Sequence, residues 1–140
     1  MEIKNSSGLT VSSHGVLNYT NLKLVSEDFN DKTVTHTDGD FNLHVNSDKI
    51  DIVVNNLSSV FMSGSVNDLS IGFYSGDARF EGSNLIVQNI DIFQRSSNDM
   101  IVNPQQSITG EIRGTGDVIA VHRPPLVDVE EFYTGKLIFK

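Results

Sequence analysis

Apolar side chains recur at every second position along most of the chain, as in Phe41-Asn42-Leu43-His44-Val45, Leu69-Ser70-Ile71-Gly72-Phe73 and Ile90-Asp91-Ile92. Period-two alternation predicts strands with one buried and one solvated face. No segment sustains apolar residues at i, i+3, i+4 and i+7 for three helical turns. Abundant Ser, Asn, Asp, Thr and Gly, with few strong helix formers, point the same way, so the class is all-β.

The strand pattern repeats. A small or turn-forming pair, an apolar residue, an intervening residue and a second, usually apolar residue occur seven times. The copies begin at Gly15, Gly39, Ser58, Gly76, Asn98, Gly116 and Gly135, with successive starts 24, 19, 18, 22, 18 and 19 residues apart. Antiparallel hairpins would need a tight turn between each pair of strands, far more often than one per 18 to 24 residues. A coil of short strands, each pairing with its equivalent one circuit above and below, accounts for the period. The expectation is a right-handed parallel β-helix, or β-solenoid, of about seven rungs, with residues 1–140 as a single domain.

Alternation assigns the faces. Leu17, Phe41, Val60, Ala78, Met100, Val118 and Leu137 form one inward column, and Tyr19, Leu43, Met62, Phe80, Val102, Ala120 and Phe139 the next. A second strand per rung is expected at Ile50/Ile52/Val54, Leu69/Ile71/Phe73, Ile90/Ile92 and Val127/Val129. The intervening positions Asn18, Asn42, Phe61, Arg79, Ile101, Ile119 and Ile138 point outward, and Phe61, Ile101, Ile119 and Ile138 make an apolar ladder where solvent is expected. Such a stripe marks either a contact surface or ground covered by the chain's own irregular stretch from Ser26 to Thr35. His122-Arg123-Pro124-Pro125-Leu126 must be a corner, since two prolines cannot donate to a ladder. The pattern is still that of a strand at Lys136–Lys140, which predicts an uncapped last rung.

Composition narrows the partners. Ten Lys and Arg against eighteen Asp and Glu give a formal charge of -8 with no basic patch, which disfavours nucleic acid and anionic membrane surfaces. No apolar run is long enough to span a bilayer, and Met1–Gly8 has neither the basic nor the apolar region of an export signal. With no cysteine, disulfides and thiolate metal sites are excluded.

The turns carry a resemblance. Ser63-Gly64-Ser65, Ser75-Gly76-Asp77 with Leu85, Ser96-Ser97-Asn98-Asp99, Ile112-Arg113-Gly114-Thr115-Gly116-Asp117 and Pro125 followed by Thr134-Gly135 resemble the head GIN domain family of auto-transporter adhesins, whose function is largely unknown. The resemblance is strong over the C-terminal 80 or so residues. It implies a β-helical domain, exported or held at the cell envelope. Intracellular scaffold and virion component are the variants consistent with the lack of a signal.

No catalytic, metal or cofactor site is expected. Asp40, Asp77, Asp99 and Asp117 could align as a carboxylate column, but Asp is a common corner residue that bonds backbone, and the loops lack the closely spaced oxygens of calcium repeats. His14, His36, His44 and His122 are too scattered for zinc. Ser63-Gly64-Ser65 reads as a turn, since no nucleophile elbow surrounds it. A glycan-processing enzyme would need close carboxylates among Asp77, Asp99 and Asp117. The favoured expectation is a non-enzymatic structural or binding module forming a homo-oligomer, or binding a protein partner, through Phe61, Ile101, Ile119 and Ile138. The alternative is an adhesin or glycan-binding module using aromatics such as Tyr74, Phe93 and Tyr133.

Overall fold

A computed structural model describes residues 2–4, 10–26, 40–55, 59–74 and 76–140. These form eleven strands and no helix: Glu2–Lys4 (β1), Val11–Ser26 (β2), Phe41–Val54 (β3), Val60–Phe73 (β4), Phe80–Glu81 (β5), Leu85–Gln94 (β6), Met100–Val102 (β7), Pro104–Ile112 (β8), Val118–Ala120 (β9), Leu126–Glu131 (β10) and Leu137–Phe139 (β11). Every pairing is parallel, and each strand stacks on its equivalent in the next circuit. The chain is a β-solenoid of about six turns. In β3 and β4 one strand runs through two arms of the circuit. In later turns the arms separate, as β5 and β6, β7 and β8, and β9 and β10. A corner between arms lies where alternation breaks, at Asp48-Lys49 and Asn67-Asp68, each a pair of successive exposed residues between buried ones.

The inward columns fill a continuous apolar core. On the first arm Val11, Phe41, Val60, Phe80, Met100, Val118 and Leu137 are in register. On the second arm the expected Ile50, Leu69, Ile90 and Val127 are in register with Leu22 and Ile108, and the expected Ile52, Ile71, Ile92 and Val129 with Ile3, Leu24 and Gly110. The arm carrying Ile108 and Ile112 escaped the sequence reading, because Gly110 takes an inward slot and interrupts the alternation.

Two parts of the expected register are corrected. Phe80, not Ala78, pairs with Val60 and Met100. Leu17 and Tyr19 pair with Val45 and Ser47, while Val11 occupies the slot assigned to Leu17, with an irregularity between Ser12 and Val16. The physical reason for the first slip is Gly82, which stands in the slot assigned to Phe80: its N–H donates to Ile101 O at 2.9 Å, and a Cβ there would overlap the Phe80 ring. One large ring therefore fills two neighbouring slots. The true column steps by 30, 19, 20, 20, 18 and 19 residues, so the interval is more even than the motif suggested once the stretch containing residues 27–39 is passed.

The later turn motifs, from Gly76 to Gly135, meet at one corner, while Ser63-Gly64-Ser65 lies within β4. Ser97 N–H donates to Gly76 O, Gly116 N–H to Ser96 O and Gly135 N–H to Gly114 O, at 3.0, 3.1 and 3.0 Å. A Cβ on Gly116 would overlap Asn98 O, so the close approach of successive rungs demands glycine here. Beneath this stack lie the buried polar side chains Gln94 and Ser96. Gln94 Nε2 donates to Asn98 O at 2.8 Å, and Ser96 Oγ lies 3.0 Å from Gln94 Oε1 and 3.1 Å from Ala78 O. The pair bonds backbone carbonyls that the corner would otherwise leave without donors.

Candidate functional site

The aspartates are spent on the fold. Ser59 N–H donates to Asp40 Oδ1 at 2.8 Å, Asp117 N–H to Asp99 Oδ1 at 3.1 Å and Lys136 N–H to Asp117 Oδ1 at 2.9 Å. Each carboxylate thus caps the equivalent backbone of the following rung, where the sequence reading had it bonding locally. Asp77 is not in this column: Arg79 holds the slot, and Asp77 Oδ1 accepts from Ser97 Oγ at 2.8 Å. Among the described residues no three His, Asp or Glu side chains gather as a metal site. His14 and His44 are exposed, His122 Nδ1 lies 2.8 Å from Pro104 O, and His36 lies outside the described residues.

The outward ladder on the first arm runs Asn42, Phe61, Glu81, Ile101, Ile119, Ile138. The register slip puts Glu81 where Arg79 was expected, so Phe61 is separated from an uninterrupted run of three isoleucines. Phe61 is 38% exposed and the isoleucines are half-buried. Val121, 38% exposed, widens the run at its C-terminal end. Glu81 Oε1 accepts from Ser83 Oγ at 3.1 Å, whereas its Oε2 is shielded from solvent and 3.5 Å from Arg79 Nη2, too far for a good hydrogen bond. The Ser26–Thr35 stretch, named above as a cover for this ladder, lies outside the described residues beyond Ser26.

A second surface lies on the other arm. Tyr74 and Phe93, two of the three aromatics singled out from the sequence, stack with ring centroids 5.0 Å apart and planes 30° apart. Gly72 makes this contact possible, since a Cβ there would overlap the Tyr74 ring. Beside the stack, Lys23, Asp51, Ser70 and Asp91 occupy consecutive rungs of one outward column. Together these residues line an open groove of about 260 Å³. Tyr133, 63% exposed in the turn after β10, is not part of it. The sequence signal for the groove was available: a glycine in the outward column Val53, Gly72, Phe93, with a tyrosine two residues on.

The carboxylates named for glycan cleavage are bound to backbone N–H or hydroxyl groups, or, in Asp99, also faced by Arg79 Nη1 at 3.9 Å. No helix among the described residues is long and apolar enough to cross a membrane.

Comparison with curated proteins and with solved structures finds no match. A family model does match, over residues 1–124, and takes in the stacked turns at Gly76, Ser96-Ser97 and Gly114–Gly116 that bind successive rungs together. The chain belongs to the family described as "putative auto-transporter adhesin, head GIN domain".

Proposed function

We propose that this domain is a non-enzymatic adhesion-type module that works as a symmetric assembly, with Ile101, Ile119 and Ile138 as the contact between two copies. The observation that carries the reading is three isoleucines in register on adjacent rungs, flanked by Val121, on a face that points away from the core. Apolar groups gathered on a solvated sheet face are the usual mark of a protein contact.

A second copy suits this face because its rim is self-complementary. The ladder is acidic at one end, at Glu81, and basic at the other, where Lys136 and Lys140 flank Ile138. A two-fold axis between Ile101 and Ile119 lays isoleucine on isoleucine and brings Glu81 of each copy to the last rung of the other. The family description, that of an adhesin, supports a module whose work is contact and a location at the cell envelope.

Size-exclusion chromatography with light scattering tests this. The native chain is expected at the mass of a dimer, and Ile101→Lys with Ile119→Lys at that of a monomer. A monomeric native chain, or a dimer that survives both substitutions, would overturn the proposal.

A further inference from the structure

We infer that the Tyr74–Phe93 groove is a binding site for a neutral carbohydrate, independent of the isoleucine ladder. Three observations converge on it. The stacked rings leave Tyr74 44% exposed, an aromatic surface of the kind that takes the C–H face of a sugar ring. Alongside it, Asp51, Ser70 and Asp91 rise one per rung, at about 4.8 Å per step in a parallel sheet. Asp51 and Ser70 have no side-chain partner among the described residues, and Asp91 accepts only at Oδ1, from Thr109 Oγ1 at 3.2 Å. Elsewhere several outward polar side chains pair between rungs, as in Asn46 with Ser65, Asp48 with Asn67 and Asn89 with Ser107. The groove therefore keeps a row of hydrogen-bonding groups unspent.

Charge selects the class of occupant. Asp51 and Asp91 repel a uronic or sialic acid, while Lys23 at the head of the same column, 3.8 Å from Glu2, opposes a cationic side chain in its place. A neutral polyhydroxylated ligand escapes both penalties, donating hydroxyls to the carboxylates and to Ser70 Oγ and laying its apolar face on Tyr74. The open groove suits one or two sugar units along a longer chain rather than an enclosed small molecule.

The test is a glycan array probed with the full chain, followed by titration of the best neutral oligosaccharide against 15N-labelled protein. Binding to neutral glycans is expected, with the amides around Tyr74 and Phe93 shifting. Tyr74→Ala should weaken it roughly tenfold, the loss of one aromatic contact, and Asp51→Asn with Ser70→Ala should weaken it severalfold while leaving the circular dichroism spectrum unchanged. Ile119→Lys should leave affinity per chain unchanged, which separates this site from the dimer contact. No neutral glycan bound, a preference for anionic glycans or for basic peptides, or undiminished binding by Tyr74→Ala and by the Asp51/Ser70 variant would each overturn the inference.

Discussion

Gly64 and Ser96 show how much of this fold depends on single residues where rungs approach each other. Gly64 has φ of +113°, and a Cβ there would overlap Val45 O on the rung it pairs with. Both conformational strain and a backbone clash follow from any side chain, so Gly64→Ala should cost about 3 kcal/mol or more in urea unfolding. A loss under about 1 kcal/mol, the usual price of strain alone, would mean that the rungs can part at this corner. Ser96→Ala makes a different demand. It removes the hydroxyl that meets Gln94 Oε1 and Ala78 O in a dry site, and should cost about 1 to 3 kcal/mol. Both positions lie in the turn motifs that carried the family resemblance, and their chemistry is that of chain reversal and rung stacking. That is why the motifs announce a fold and stay silent on activity.

Among the elements, the short strand β5 and the glycine after it decide the register. Alternation had placed Ala78 and Phe80 inward correctly, and both are fully buried. It could not fix which of them meets Val60, because a slip of two residues leaves every side chain on the same face. Only volume distinguishes the alternatives: Phe80 beside Gly82 fills the layer, whereas Phe80 in the slot of Gly82 would leave its own place to Ala78. Phe80→Ala should accordingly cost about 3 to 5 kcal/mol, measured by thermal or chemical denaturation. The same slip inserted Glu81 into the outward ladder, where alternation had placed Arg79. Glu81→Val would remove a shielded carboxylate oxygen and join Phe61 to the isoleucines. Burying a valine at a dimer contact is worth about 1.5 to 3 kcal/mol, against about 0 to 1 for the long, partly exposed Glu81–Arg79 pair it replaces. Association in a concentration series should therefore tighten, and weakening would show that the acidic rim matters more than the apolar run. For the Tyr74–Phe93 stack the sequence offered both rings and the glycine, but not the register that joins them. Its two residues are 19 apart and meet only because successive rungs are in register and Gly72 leaves room.

The whole molecule is a parallel coil whose core is shared along its length, with the isoleucine ladder and the aromatic groove on different arms. Long strands β2, β3 and β4 turn corners without leaving the ladder, so unfolding should be cooperative across the early rungs. Each copy carries a formal charge of -8, and pairing two of them opposes that repulsion. Added salt should then strengthen association, since screening relieves the net repulsion while the apolar contact is unaffected. A dimer that dissociates as salt rises would assign the contact to ion pairs instead.

The native chain has no cysteine, which makes the central claim directly measurable. A single Ile119→Cys variant, placed beside the proposed two-fold axis, is treated at low concentration with a short bis-maleimide, and Tyr133→Cys, exposed in the turn after β10 and not in the ladder column, serves as the reference. Ladder-mediated pairing predicts a covalent dimer from Ile119→Cys and almost none from Tyr133→Cys. Equal cross-linking of the two, or none at position 119, would contradict it.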